Sequence, residues 1–379
     1  MRAGTTTTLE EVCESVRYGY TASASLDPCG PRFLRITDIV PDSLDWESVP
    51  YCEIDDDDRE RFALAVGDIV VARTGATVGY AKLIREPVEA VFASYLVRFR
   101  VNAEMADPAF IGRLIESHVY KAFVQSRIGG AAQPNASAPV LGSFRFVLPS
   151  KHSQSRIADI LSAYDDLIEN NRRRMALLED AARQLYREWF VRLRFPGHEH
   201  TRITNGVPEG WERAPFESAL VLQRGFDLPV QDREEGDVPI YGSTGINGFH
   251  SKAKVAGPGL VTGRSGTLGE VHYITGEYWP LNTALWVKEF RRVTPLFALF
   301  LMRGMDLKQY NGGVSVPTLD RKTVHRTEIL IPSRGLLTSF DEFAESVFQQ
   351  VNILAAQVER LRAARDLLLP RLMSGEIAV

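Results

Sequence analysis

The chain has 379 residues, 45% of them hydrophobic and 24% charged, which leaves room for two globular domains and excludes wholesale disorder. No apolar run approaches the roughly 18–20 residues that cross a bilayer, and no signal-peptide core opens the chain, so a cytoplasmic protein with no membrane partner is expected. The formal net charge is −4, which neither demands nor excludes a nucleic acid, because such binding needs a locally basic face and not a basic total.

Three cysteines, Cys13, Cys29 and Cys52, lack any CxxC spacing; they suit a reducing cytosol and argue against a disulfide framework or a zinc site. The first strong feature along the chain is acidic. Residues 55–58 are all Asp, flanked by Glu53 and Glu60, and are read as a solvated loop in preference to a metal site. Residues 69–75 then read as a short buried strand entering a glycine turn. Further on, Gly129, Gly130 and Pro134 lead into the apolar run at 144–150.

From Ile157 the pattern changes. Apolar residues recur at alternating steps of four and three, at Ile157, Leu161, Tyr164, Ile168, Asn171, Met175, Leu178, Ala182, Leu185 and Trp189, with no Gly or Pro between. This is the seam of a long coiled-coil helix. Asn171 is either an ordinary polar interruption or a buried amide that fixes register. Pro196 and Gly197 end the helix, and Asn205, Gly206, Pro208 and Gly210 form a turn-rich linker.

The pattern then repeats. A shift of 191 residues lays 69–75 over 260–266, and a shift of 183 lays Gly129, Gly130, Pro134 and 144–150 over Gly312, Gly313, Pro317 and 327–333. The same 183-residue shift carries the seam onto Phe340, Ala344, Val347, Val351, Leu354, Val358, Leu361, Arg365, Leu368 and Leu372, with Pro370 expected to kink or stop the second helix. The expected organisation is a globular domain over 1–150, a helix and linker over 151–204, a second domain over 205–333 and a final helix over 334–379. The predicted fold is mixed α/β: two α/β domains separated by two long antiparallel coiled-coil helices, as a pseudo-twofold tandem repeat. Forty helical residues would span about 60 Å, a stiff spacer between the two domains.

At this point the residues resemble a known family, the specificity subunits of type I restriction–modification systems. Residues 157–171 resemble the start of its central conserved region and residues 181–190 its end. Residues 207–211 (Val-Pro-Glu-Gly-Trp) resemble the opening of the second target-recognition domain, and residues 365–377 the C-terminal conserved segment. The N-terminus departs from the pattern, with Thr5 to Leu9 in place of Pro-x-Gly-Trp, so the edge of the first domain is open. The resemblance implies two target-recognition domains that each read half of a bipartite site on double-stranded DNA. It also implies two methyltransferase subunits docked on the helices and restriction/translocase subunits joined to them, in the bacterial cytoplasm.

The chemistry is expected in those partners. The chain has no [Asp/Asn]-Pro-Pro-[Tyr/Phe] adenine pocket and no Gly-x-x-x-x-Gly-Lys-[Ser/Thr] phosphate loop. It is therefore read as non-catalytic and without a cofactor of its own; S-adenosylmethionine is implied in the methyltransferase subunit, ATP and magnesium in the restriction subunit. The 263–269 glycine run lacks a Lys and is read as a structural turn, Asp306 and Lys308 as helix-surface charges, and His198 and His200 as solvated linker residues.

Candidate DNA contacts follow from the repeat. Arg73 and Thr74 stand in one turn, Arg264 and Ser265 in its equivalent; each Arg either meets DNA, at a phosphate or a guanine, or braces its turn through a carboxylate. Gln133, Asn135 and Ser137, with Asn311, Ser315 and Thr318, either touch DNA or cap backbone groups. Lys252 and Lys254 read as phosphate contacts or as solvated loop residues. Residues 172–174 are a run of Arg facing DNA, an acidic partner or solvent. The competing reading is a structural adaptor that bridges protein partners with the same two-domain dumbbell and binds no DNA; an enzyme with a cryptic site is the third.

Overall fold

The computed structural model describes every residue except 1–4, 42–43, 129–133, 314, 374 and 378. The chain divides into two compact units, residues 1–172 with 356–379 and residues 173–355, so each boundary falls inside a long helix.

In the first unit the strand Asp68–Ala72 is buried along its whole length. Its run of Ile, Val and Val is β-branched and apolar on both faces, as a central strand requires. It pairs antiparallel with Leu96–Val101 and Ala81–Leu83, and Cys13–Tyr18 completes a four-stranded sheet beyond Leu96–Val101. A short parallel pair, Arg32–Leu34 with Ala90–Phe92, lies in a second cluster around Phe33, Phe62 and Phe92. The strand Thr5–Thr8 pairs antiparallel with Arg145–Leu148, so the segment that departs from the family pattern is a regular edge of this unit.

The second unit repeats that plan. Gly259–Gly263 is the buried central strand, flanked by Ala284–Phe290 and Val271–Ile274, with Leu220–Arg224 outermost. Val238–Gly242 pairs parallel with Trp279–Pro280 as Arg32–Leu34 does with Ala90–Phe92, and Glu212–Pro215 pairs with Glu328–Ile331 as Thr5–Thr8 does with Arg145–Leu148. The likeness reaches single atoms. A Cβ on Gly19 would collide with the carbonyl oxygens of Phe92 and Ala93, and one on Gly225 with those of Pro280 and Leu281, so glycine is required at both places where chain crosses chain.

The first long helix spans Lys151–Tyr186 and ends in a π-helical turn, Arg187–Val191, well short of Pro196. The second spans Arg334–Met373 without interruption; Pro370 lies inside it and does not stop it. Every predicted seam residue is buried or partly buried. In the first unit Ile157, Leu161 and Leu372 share a core, with Leu368 packed on it. Asp165 meets Arg365 and Asn171 donates from Nδ2 to Gln357 at 3.4 Å, an antiparallel pairing. In the second unit Ala182, Phe340, Ala344 and Val347 share the other core, with Leu178, Leu185, Trp189 and Val351 against it. Near its end the stripe shifts by one residue: Tyr186 and Phe190 are more deeply buried than the predicted Leu185 and Trp189. A helix of 3.6 residues per turn drifts against a 3.5-residue repeat in just this sense.

The acidic run is not a loop. Residues Asp56–Phe62 form a helix whose N-cap, Asp55, accepts the Asp58 N–H at 2.8 Å. Three carboxylates in the first turn favour the positive end of the helix dipole, and Arg59 and Arg61 sit in the last turn. Asp306 and Lys308 are exposed on a 3-10 turn.

Candidate nucleic-acid interface

The first unit builds its candidate site where the central strand ends. The Arg73 N–H donates to the Tyr95 carbonyl at 3.0 Å, and Gly75, at φ +79°, turns the chain. The loop after residue 133 is zipped onto this turn. Gly75 N–H donates to Pro134 at 2.9 Å, Ala136 N–H to Arg73 at 2.8 Å, and Thr74 bridges Asn135. Sequence-distant candidates are thereby brought into one place, with exposed Ser137 at the N-cap of the helix Ala138–Gly142. Gln133 lies outside the described residues. The Arg73 guanidinium lies over the Tyr18 ring, 4.7 Å from its centroid, and donates to Asn135 Oδ1 at 3.3 Å. The Tyr18 oxygen in turn accepts the Ala138 N–H at 2.9 Å. No carboxylate pairs with Arg73 among the described residues.

The second unit carries the same backbone with other side chains. Arg264 N–H donates to Thr283 at 2.9 Å, Gly266, at φ +90°, donates to Pro317 at 2.9 Å, Leu319 donates to Arg264 at 2.8 Å, and Ser265 bridges Thr318. Here Arg264 turns inward and donates to the backbone carbonyl of Asn282 at 3.0 Å. The Asn282 amide meets Asp227, whose carboxylate takes Arg224 at 3.1 Å. Asn311 accepts the backbone N–H groups of Gly313 and Thr318 at 2.9 and 2.8 Å, and the Thr318 hydroxyl donates to Val316 at 3.1 Å. In this structure both hold their own loop; Ser315 is exposed beside them.

Lys252 is exposed and ion-paired with Glu234 at 3.1 Å. Lys254 sits over the faces of Trp279 and Phe226, at 5.0 and 5.7 Å, and pairs with no carboxylate among the described residues. Buried His250 accepts the Glu234 N–H at 3.0 Å. Arg172 is partly buried and Arg173 and Arg174 are exposed on the first long helix. Sequence reasoning missed Tyr18, Arg224, Asp227 and Asn282. Tyr18 and Arg224 immediately precede the two equivalent glycines, Gly19 and Gly225, which was the available signal.

Among the described residues no cluster of three or more His, Cys, Asp or Glu is placed to hold a metal ion. Burial pushes the Cys13 thiol up to about 12 and the Cys52 thiol up to about 11, the reverse of what a nucleophilic cysteine needs. His198 faces the Phe195 carbonyl at 2.8 Å in the linker. No helix among the described residues is long and apolar enough to cross a membrane.

Comparison with known proteins agrees with this picture. Residues 6–180 match the family of type I restriction modification DNA specificity domains. The type I restriction enzyme MjaIX specificity subunit of Methanocaldococcus jannaschii is 22% identical over 340 residues, covering 82% of this chain and 78% of that protein. The HindI specificity subunit of Haemophilus influenzae is 21% identical over 371 residues, covering 73% and 79%. The crystal structure of a type I restriction–modification S subunit from M. genitalium shares the fold, with a TM-score of 0.59 and 16% identity across 98% of this chain and 96% of that one. A matched specificity domain, relatives aligned along most of their length and one strand plan used twice point the same way: residues 6–180 match a type I restriction modification DNA specificity domain, and the chain as a whole is similar to type I restriction enzyme specificity subunits.

Proposed function

We propose that this chain is the DNA-reading subunit of a type I restriction–modification complex, in which each unit reads one half of an asymmetric, bipartite duplex target. One observation carries the reading: both units present the same zipped turn, at Arg73–Asn135 and at Arg264–Thr318, but with different side chains on it. A shared scaffold with divergent tips is what two domains need to read two different half-sites through base edges. The chain directs catalysis and supplies none. Two methyltransferase subunits, carrying S-adenosylmethionine, and restriction/translocase subunits, using ATP and magnesium, join it in the bacterial cytoplasm. The exposed faces of the long helices, with Arg173 and Arg174, are the surface offered to the methyltransferases.

Base-modification mapping in cells that express the chain with its neighbouring methyltransferase tests this. A methylated motif of two unequal parts separated by a fixed gap is expected, and exchange of residues 205–333 for those of another family member should replace one part only. Absence of any motif, or replacement of both parts together, would overturn it in favour of a protein-bridging adaptor.

A further inference from the structure

We infer that Arg73 is the base-reading arginine of the first unit and grips a guanine, whereas its counterpart Arg264 is a scaffold residue; this rests on the DNA-reading function proposed above. The two arginines occupy equivalent backbone, since each donates its N–H to the residue opposite (Tyr95, Thr283) and each accepts from the zipped loop (Ala136, Leu319). Their side chains have opposite fates. The Arg264 guanidinium is partly buried and tied to the Asn282 carbonyl, within a cluster that already holds a carboxylate, Asp227. That of Arg73 has an aromatic floor, Tyr18, and one side-chain acceptor, Asn135, and no anion among the described residues.

Both supports are themselves anchored. The Tyr18 oxygen is held by the Ala138 N–H, and Asn135 by its bridge to Thr74, so the plane of the guanidinium is set by three segments that are distant in sequence. A phosphate contact needs only charge and reach. A guanine contact needs a guanidinium held in a fixed plane, because O6 and N7 accept two parallel N–H bonds from one edge of the fork. With Asn135 occupying one N–H, the remaining terminal N–H groups supply that edge. The second unit lacks the device: Arg224 stands where Tyr18 does and pairs with Asp227, Thr318 stands where Asn135 does and donates its hydroxyl to Val316, and among the described residues neither side chain hydrogen-bonds the Arg264 guanidinium.

The experiment uses the full chain with its methyltransferase and reads the methylated motif for Arg73→Ala, Arg73→Lys and Arg264→Ala. The unaltered complex should require a G in the half-site read by the first unit. Arg73→Ala should relax that one position by about tenfold to about a hundredfold, and Arg73→Lys, which keeps the charge and loses the fork, should relax it as well. The other half-site should stay stringent in both variants, which also shows that they fold and assemble, and Arg264→Ala should leave every position as stringent as before. A uniform fall in methylation with an unchanged motif would mean a phosphate contact and overturn the inference. Should Arg73→Ala fail to assemble, Arg73→Lys decides alone: an unrelaxed motif overturns it. If the unaltered complex gives no bipartite motif, the proposed function fails first, and the two failures are told apart.

Discussion

The two units share a strand plan, yet the place where each domain meets its long helices is glued by opposite chemistry. In the first unit Asp165 of the first long helix touches three guanidiniums, Arg113, Arg365 at 2.6 Å and Arg85 at 3.3 Å, with only 11% of its side chain exposed. Glu116 joins through Arg85 at 3.1 Å and Arg113 at 3.6 Å and accepts the Leu83 N–H at 2.9 Å. Burial draws the Arg113 pKa below its ordinary value, with repulsion from Arg85 adding to the effect. In the second unit the 183-residue shift puts Phe348 at the position of Asp165 and Ala182 at that of Arg365, and alignment on the helix N-caps Asp107 and Thr294 puts Phe300 at that of Arg113. Phe300 packs against Phe348 at 6.2 Å, Phe340 at 5.9 Å and Tyr186 at 5.7 Å. The two units share a backbone plan and differ in the glue. The exchange also sorts the helices: a carboxylate placed against Phe300 would be buried without a cation, and a phenylalanine placed against Arg113 would strip that cation of its partner.

The comparison is broken most directly in the aromatic junction. Phe340 is fully buried among Tyr186, Trp189, Phe190 and Phe300, and Phe340→Ala should cost about 4 kcal/mol, the scale for emptying a buried phenylalanine site. Denaturant melts at low and high salt should give the same loss, since no charge is involved. The ionic junction should respond differently. Asp165→Ala leaves Arg85 and Arg113 with Glu116 and Arg365 with the exposed Asp366, and should cost about 3 kcal/mol at low salt. Added salt should return part of that stability, and removing Arg365 as well should return more, because the repulsion falls. Equal salt dependence for Phe340→Ala and Asp165→Ala would erase the contrast drawn here.

A smaller effect sharpens it. Burial raises the Asp341 carboxyl to about 6, against a hydroxyl hydrogen bond from Thr294 at 2.9 Å that lowers it, with Glu345 adding repulsion. The folded pKa lies above the ordinary 3.8, so the native state binds the extra proton. Its contribution to stability is complete below about pH 4 and is lost as pH rises through about 6. Asp341→Asn keeps the acceptor and removes the charge. Since the site is half-buried, the variant should exceed the parent by about 1 kcal/mol at pH 8 and match it near pH 4. A pH-independent difference in melting temperature would refute this account of the aromatic unit.

Much of this was legible beforehand because it is periodic or local. The seam from Ile157 to Trp189 and from Phe340 to Leu372 is written in spacing alone, and the helices follow it. The two shifts were also the right ones: 191 carries Arg73 to Arg264, 183 carries Asn135 to Thr318, and the structure bridges Thr74 to Asn135 and Ser265 to Thr318. The eight-residue change between shifts falls between those anchors, where the first unit has the helix His118–Arg127 and the second only the 3-10 turn Leu307–Tyr310. The acidic run was misread although its signal was local, an N-cap Asp followed by acids and then arginines, because charge density outweighed charge order. Tyr18 was missed for a different reason: Gly19 beside it marks a chain crossing, but only the fold brings Arg73, 55 residues on, over its ring.

By itself, then, the amino-acid order determined the duplication, the two heptad helices and the strand-to-turn units, since each depends on preferences that act within a few residues. Only the tertiary structure decided which arginine is held flat on a ring and which is tied to a carbonyl, and which junction is ionic and which aromatic. Those outcomes depend on side chains that meet across 55 to 200 residues of chain, where no local propensity reaches and the packing of whole segments chooses the neighbour.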